Sequence, residues 1–96
     1  MARYRIIHWK EIPSLVEAAD GDEVVRLPLS PRFQELIDTV AVREGASESE
    51  AYLDGWGQGP ELERVGGARA VAEAVAAELE AGFSDLVATR LQRPSA

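Results

Sequence analysis

Polar and apolar side chains alternate along Arg3-Tyr4-Arg5-Ile6-Ile7-His8-Trp9, a segment rich in aromatic and β-branched residues. This period of two predicts a strand with Tyr4, Ile6 and His8 on one face and Arg3, Arg5, Ile7 and Trp9 on the other. Pro13 has no amide donor and holds Ile12 extended, so an irregular connection is expected from Lys10 to Ser14. Leu15 to Leu29 then reads as a β-hairpin around Asp20-Gly21-Asp22. With Gly21-Asp22 as a two-residue turn, Val16 faces Leu27, Ala18 faces Val25, Ala19 faces Val24, and Glu17 meets Arg26 as a cross-strand ion pair. Moving the turn to Asp20-Gly21 sets Ala18 against Glu23 and Leu15 against Arg26, which mixes apolar with charged partners.

From Ser30 the period changes. Ser30-Pro31 is a helix start, a capping hydroxyl followed by a proline where its missing amide costs nothing. Phe33, Leu36, Ile37, Val40 and Ala41 then form one apolar stripe, and Gly45 closes the helix. Ser47-Glu48-Ser49-Glu50 has the form of a capping box and predicts a short helix to about Leu53. Gly55-Trp56-Gly57-Gln58-Gly59-Pro60 is too poor in helix formers and amide donors to be helical. Glu61 to Val65 is expected to be an edge strand ended by Gly66-Gly67. From Ala68 to Phe83 the chain is alanine-rich and repeats Val71, Val75, Leu79 and Phe83 at intervals of four, which predicts the main helix.

The elements define an α+β fold: a small, mostly antiparallel sheet (strand, hairpin, later edge strand) packed against two main helices, at about 31–44 and 68–83. Phe33, Ile37, Val40, Val71, Val75 and Leu79 are expected at the centre of its core. Residues 1–96 make one domain, with the core over about 3–83 and a tail over 84–96. Ser84-Asp85 can start another turn or two carrying Leu86, Val87 and Leu91. These three are surplus to the stripe of the main helix. They are expected either to fold back over the sheet edge or to bury against another molecule, and the second is favoured because small domains gain most from two-fold association.

Composition narrows the chemistry. Of 96 residues, 46% are hydrophobic and 28% charged, which is globular rather than disordered. The formal charge is −7. Residues 47–96 hold 4 basic and 9 acidic side chains, so most of the negative charge lies in the second half. Such a surface repels phosphate backbones and anionic lipid heads, and neither nucleic acid nor membrane is expected as a partner. No apolar run approaches the ~20 residues of a membrane span, and Met1-Ala2-Arg3-Tyr4-Arg5 leads into a strand pattern; a cytoplasmic location is expected. There is no cysteine, hence no disulfide, thiolate nucleophile or iron–sulfur ligation by the chain.

One histidine without cysteine cannot build a zinc site, and Asp20, Asp22 and Glu23 are explained by the hairpin turn better than by a bound cation. No catalytic residue, metal ligand or cofactor is assigned. His8 has no serine or acid at motif spacing, there is no G-x-S-x-G elbow, and a packed histidine is the better reading. The glycines at 55–59 lack the Gly-Lys-Ser/Thr ending of a phosphate loop. They fit tight turns around a packed Trp56, or, together with Trp9, a loop presenting an aromatic patch to a partner.

The strings Arg5-Ile6-Ile7-His8-Trp9-Lys10-Glu11-Ile12-Pro13, Asp20-Gly21-Asp22 and Pro28-Leu29-Ser30-Pro31-Arg32-Phe33-Gln34 resemble the small bacterial virulence factor domain. The likeness covers most of residues 3–83, including Trp56-Gly57 and the alanine- and glutamate-rich helix. It implies a stand-alone domain or one appended to longer proteins with helical repeats, and it carries over no catalytic role to any position. Two functions follow as expectations. The first is a non-enzymatic accessory or protein-interaction module that binds an unidentified protein or forms a homodimer. The second is a small-molecule or enzyme-subunit domain whose pocket uses Arg5, His8, Trp9, Arg26 and Trp56 on an anionic ligand.

Overall fold

The computed structural model describes residues 1–45 and 50–91. Strand β1 (Ala2–Trp9) turns through Lys10-Glu11 directly into β2 (Ile12–Asp20), and Gly21-Asp22 leads to β3 (Glu23–Pro28). Helix α1 (Pro31–Arg43) and the short α2 (Glu50–Asp54) follow. Strands β4 (Trp56–Gln58) and β5 (Leu62–Arg64) precede α3 (Ala68–Ala81) and α4 (Phe83–Leu91). The sheet is antiparallel with order β3-β2-β1-β4, and β5 also pairs with β1.

The β2–β3 hairpin has the predicted register: Val16↔Leu27, Glu17↔Arg26, Ala18↔Val25 and Ala19↔Val24. Gly21 sits at φ +62°, the left-handed conformation that a tight turn requires and glycine adopts without strain. The expected irregular connection at Lys10 to Ser14 is instead a second hairpin, because β2 begins at Ile12. Pro13 is tolerated there because β3 pairs with β2 only from Leu15 onward, so no second neighbour requires its amide. Pairing of β1 with β2 passes from Ile7↔Leu15 to His8↔Pro13, leaving Ser14 as an extra residue. Such an irregularity breaks strict alternation in β2, the strand that carries the extra residue. Trp9, expected on the arginine face, is 0% exposed and packs with Ile12, Leu36, Ile37 and Val40. The stretch at 55–60, read as turns, contains a strand, since Trp56 pairs with Trp9 and Gly57 with His8.

The core has two parts. Ala2, Val16, Ala18, Val25 and Phe33 pack with Val71, Ala72 and Val75 of α3, while Trp9 and Ile12 pack with the later turns of α1. Five of the six expected core residues are buried, and Leu79 packs half-buried against the first cluster. α3 ends before Phe83: Gly82 caps it, and Phe83 opens α4 with its ring edge-on to Phe33 at 4.8 Å. Leu86 and Val87 are half-buried against the core, so for these two the expected surplus is absorbed within the chain. The side chain of Leu91 and the capping box begun by Ser47 lie outside the described residues.

Ser30 precedes α1 as expected, but its hydroxyl does not cap the helix. Ser30 Oγ donates to Glu80 Oε1 at 2.8 Å, and Ser30 N donates to Glu80 Oε2 at 2.7 Å. Arg32 adds Nε and Nη2 bonds to the same carboxylate. A side chain from α3 thus supplies negative charge at the start of α1, where the helix dipole favours it. These donors, the Ser30 amide foremost, hold the Glu80 carboxyl below the ordinary carboxylate value against an opposing push from burial.

Candidate functional site

In β1 and β2 the residues alternating with the core-facing ones form the face of the sheet away from the first core cluster. Across it the register aligns Arg26 of β3, Glu17 of β2 and Arg5 of β1 in one row. Antiparallel pairing of β5, with Arg3↔Glu63 and Tyr4↔Leu62, extends that row to Glu61. The side chains meet accordingly: Arg26 Nε lies 3.4 Å from Glu17, Arg5 Nε 3.9 Å from Glu17, and Arg5 Nη2 donates to Glu61 at 3.0 Å. Arg5 Nη1 also donates to Gln58 Oε1 at 2.7 Å, and Arg3 lies 3.7 Å from Glu61. The next row toward β4 is apolar, Pro28, Leu15 and Ile7 ending on Gln58. Ile7 and Leu15 are half-buried, and toward the other end of the face Val24 is 62% exposed.

Of the five residues singled out in the sequence, Arg5 and Arg26 therefore come together through Glu17. Trp9 and Trp56 form a different group. The Trp9 ring is buried, with its Nε1 donating to the Tyr52 carbonyl at 2.7 Å. Tyr52 stands between the two indoles, 5.8 Å from Trp9 and 6.1 Å from Trp56, and Trp56 is half-buried. Gly55 is required beside them because an added Cβ would fall 2.4 Å from Trp9 Nε1. His8 is half-buried with its ring against Gly57, and its buried Nδ1 has no hydrogen-bond partner among the described residues. Trp9 lies four residues from Arg5 along β1, about 13 Å at strand rise, so the arginine pair and the tryptophan pair are two groups along the sheet.

Reading the sequence missed Glu61 and Gln58 as partners of Arg5. The signal available was weak: continuing an antiparallel register between residues 2–5 and 61–64 requires knowing that β5 returns to β1. Among the described residues no group of three or more His, Asp or Glu side chains is arranged to hold a metal, and no helix is long and apolar enough to cross a membrane. A second exposed ion pair joins Arg64 Nη1 to Glu78 at 3.1 Å, lowering the Glu78 carboxyl pKa and raising that of Arg64. It braces β5 against α3 and touches none of the five residues.

A family model described as virulence factor matches residues 7–93. The chain belongs to that family. No curated protein and no solved structure matches it.

Proposed function

We propose that this member of the virulence factor family is a non-enzymatic interaction module that docks a protein on the uncovered face of its sheet. The observation that carries this reading is the Arg26–Glu17–Arg5–Glu61 row beside the partly exposed Ile7, Leu15 and Pro28. Protein interfaces combine apolar area with arginine in this way, whereas small-molecule sites are concave. The rival reading, an anionic ligand held by Arg5 and Arg26, is disfavoured by the carboxylates already paired to both guanidiniums. Such a ligand has to sit beside the negative charge of Glu17 and Glu61.

The reading is tested by site-specific photo-crosslinking in native cells. Val24 on the open face and Val42 on α1 are the same residue type with 62% and 65% exposure, so they form a matched pair. A photoreactive amino acid at position 24 is expected to yield a protein adduct that position 42 does not. Adducts at both positions alike, or at neither, would overturn the docking reading.

A further inference from the structure

We infer that the occupant of the open sheet face is a second copy of this chain, packed face to face about a two-fold axis parallel to the strands. This rests on the docking reading above and names its partner. The ion row runs Arg26, Glu17, Arg5, Glu61, alternating in sign with an even number of members. Reversing such a row inverts the sign at every place. An axis passing between β2 and β1, where Glu17 and Arg5 meet, reverses the row and lays it on itself. Arg5 then faces Glu17 of the second copy, and Arg26 faces Glu61. The row thus makes four contacts across the interface, each of the two pairs occurring twice by symmetry, and all are attractive.

The same axis leaves each row over its own copy. In the adjoining Pro28–Leu15–Ile7–Gln58 row it sets Leu15 against Ile7 of the second copy, twice. Apolar side chains therefore fill the position beside the ion row. The Val24–Ala19–Arg3–Glu63 row has no such antisymmetry, so the contact is centred on the two rows named. Sheets stacked face to face cross at about 30°, and register between rows holds best near the axis, where Glu17, Arg5, Leu15 and Ile7 lie. Four strands about 4.8 Å apart and some six residues long span roughly 400 Å² in projection. That is the small end of specific interfaces and implies a weak dimer, with dissociation in the micromolar range or above.

The charge pattern supplies the test. Arg26 and Glu61 are 62% and 45% exposed in their side chains, so reversing either leaves the core untouched. Wild type, Arg26→Glu and Glu61→Arg are each checked for an intact far-UV spectrum and cooperative melting, then followed by sedimentation velocity from about 1 µM to about 500 µM. Wild type is expected to approach the mass of two chains as concentration rises. Each variant alone sets like charges face to face at both ends of the row and is expected to weaken association at least tenfold. Mixed in equal amounts, the two variants set the introduced glutamate of one against the introduced arginine of the other. The native Arg26 and Glu61 then meet at the far end, and association is expected to return. A monomeric wild type at the highest concentration, variants that associate like wild type, or a mixture that stays monomeric would each overturn the second copy as partner. The crosslinking experiment separates the two ideas: a monomeric wild type whose position 24 crosslinks to a different protein refutes the homodimer and leaves the docking reading standing.

Discussion

Gly55→Ala probes the packing that removes Trp9 from the surface. The added Cβ would lie 2.4 Å from Trp9 Nε1, 2.6 Å from Cε2 and 2.9 Å from Cδ1, where ordinary contact begins near 3.4 Å. The indole is fully enclosed and must therefore retreat by about 1 Å or force the 52–56 backbone outward. Either motion stretches the 2.7 Å bond from Trp9 Nε1 to the Tyr52 carbonyl beyond hydrogen-bond range. Overpacking costs about 1–3 kcal/mol, and a buried donor left unpaired adds about 1–3 kcal/mol. A total of about 2–6 kcal/mol is a large share of the stability of a domain this size, at about 5–15 kcal/mol. Urea denaturation measures the loss, with Gly57→Ala as control, since its added Cβ would only touch His8 Cε1 at 3.4 Å. Trp9→Phe already lacks the Nε1 donor and its bond to Tyr52, so the part of the Gly55→Ala cost that comes from breaking that bond is absent and Gly55→Ala should cost less in its presence than alone. A loss below about 0.5 kcal/mol, or strict additivity with Trp9→Phe, refutes the close approach.

Val75→Asp puts an unpaired carboxylate at a position only 3% exposed, beneath the sheet, and is expected to abolish cooperative melting; a transition near the wild-type midpoint would show α3 to be peripheral. The depressed pKa of Glu80 means that the unfolded chain binds its proton first, so this contribution to stability is present above the ordinary carboxylate value of 4.5 and is lost as pH falls through the lower folded value. Glu80→Gln should flatten the acid limb of the midpoint-against-pH curve, and an unchanged slope would remove Glu80 from the account. A chain ending at Ser84 lacks Leu86 and Val87, which pack against the core, and is expected to melt at lower temperature than the full chain. An equal midpoint would return both residues to the surplus.

Local chemistry was enough to determine the elements that depend on neighbours in sequence. Gly21-Asp22 and the sorting of Val16, Ala18, Val25 and Leu27 from Glu17 and Arg26 left one sensible hairpin register, and the stripe from Phe33 to Ala41 defined α1. The same reasoning found Arg5 and Arg26 but not the row that contains them, because Glu61 joins only when β5 returns across more than fifty residues to pair with β1. Trp9 shows the limit most clearly. Period two places it on the Arg5 face, yet it is fully enclosed among Ile12, Leu36, Ile37 and Val40, and no pattern within β1 records that α1 packs on it. Capping of α1 is likewise decided at a distance, by Glu80 arriving from another helix. A sequence determines which side chains share a face of one element; which faces meet is set by packing the whole chain at once, as α3 does on Val16, Ala18 and Val25 and α1 on Trp9 and Ile12.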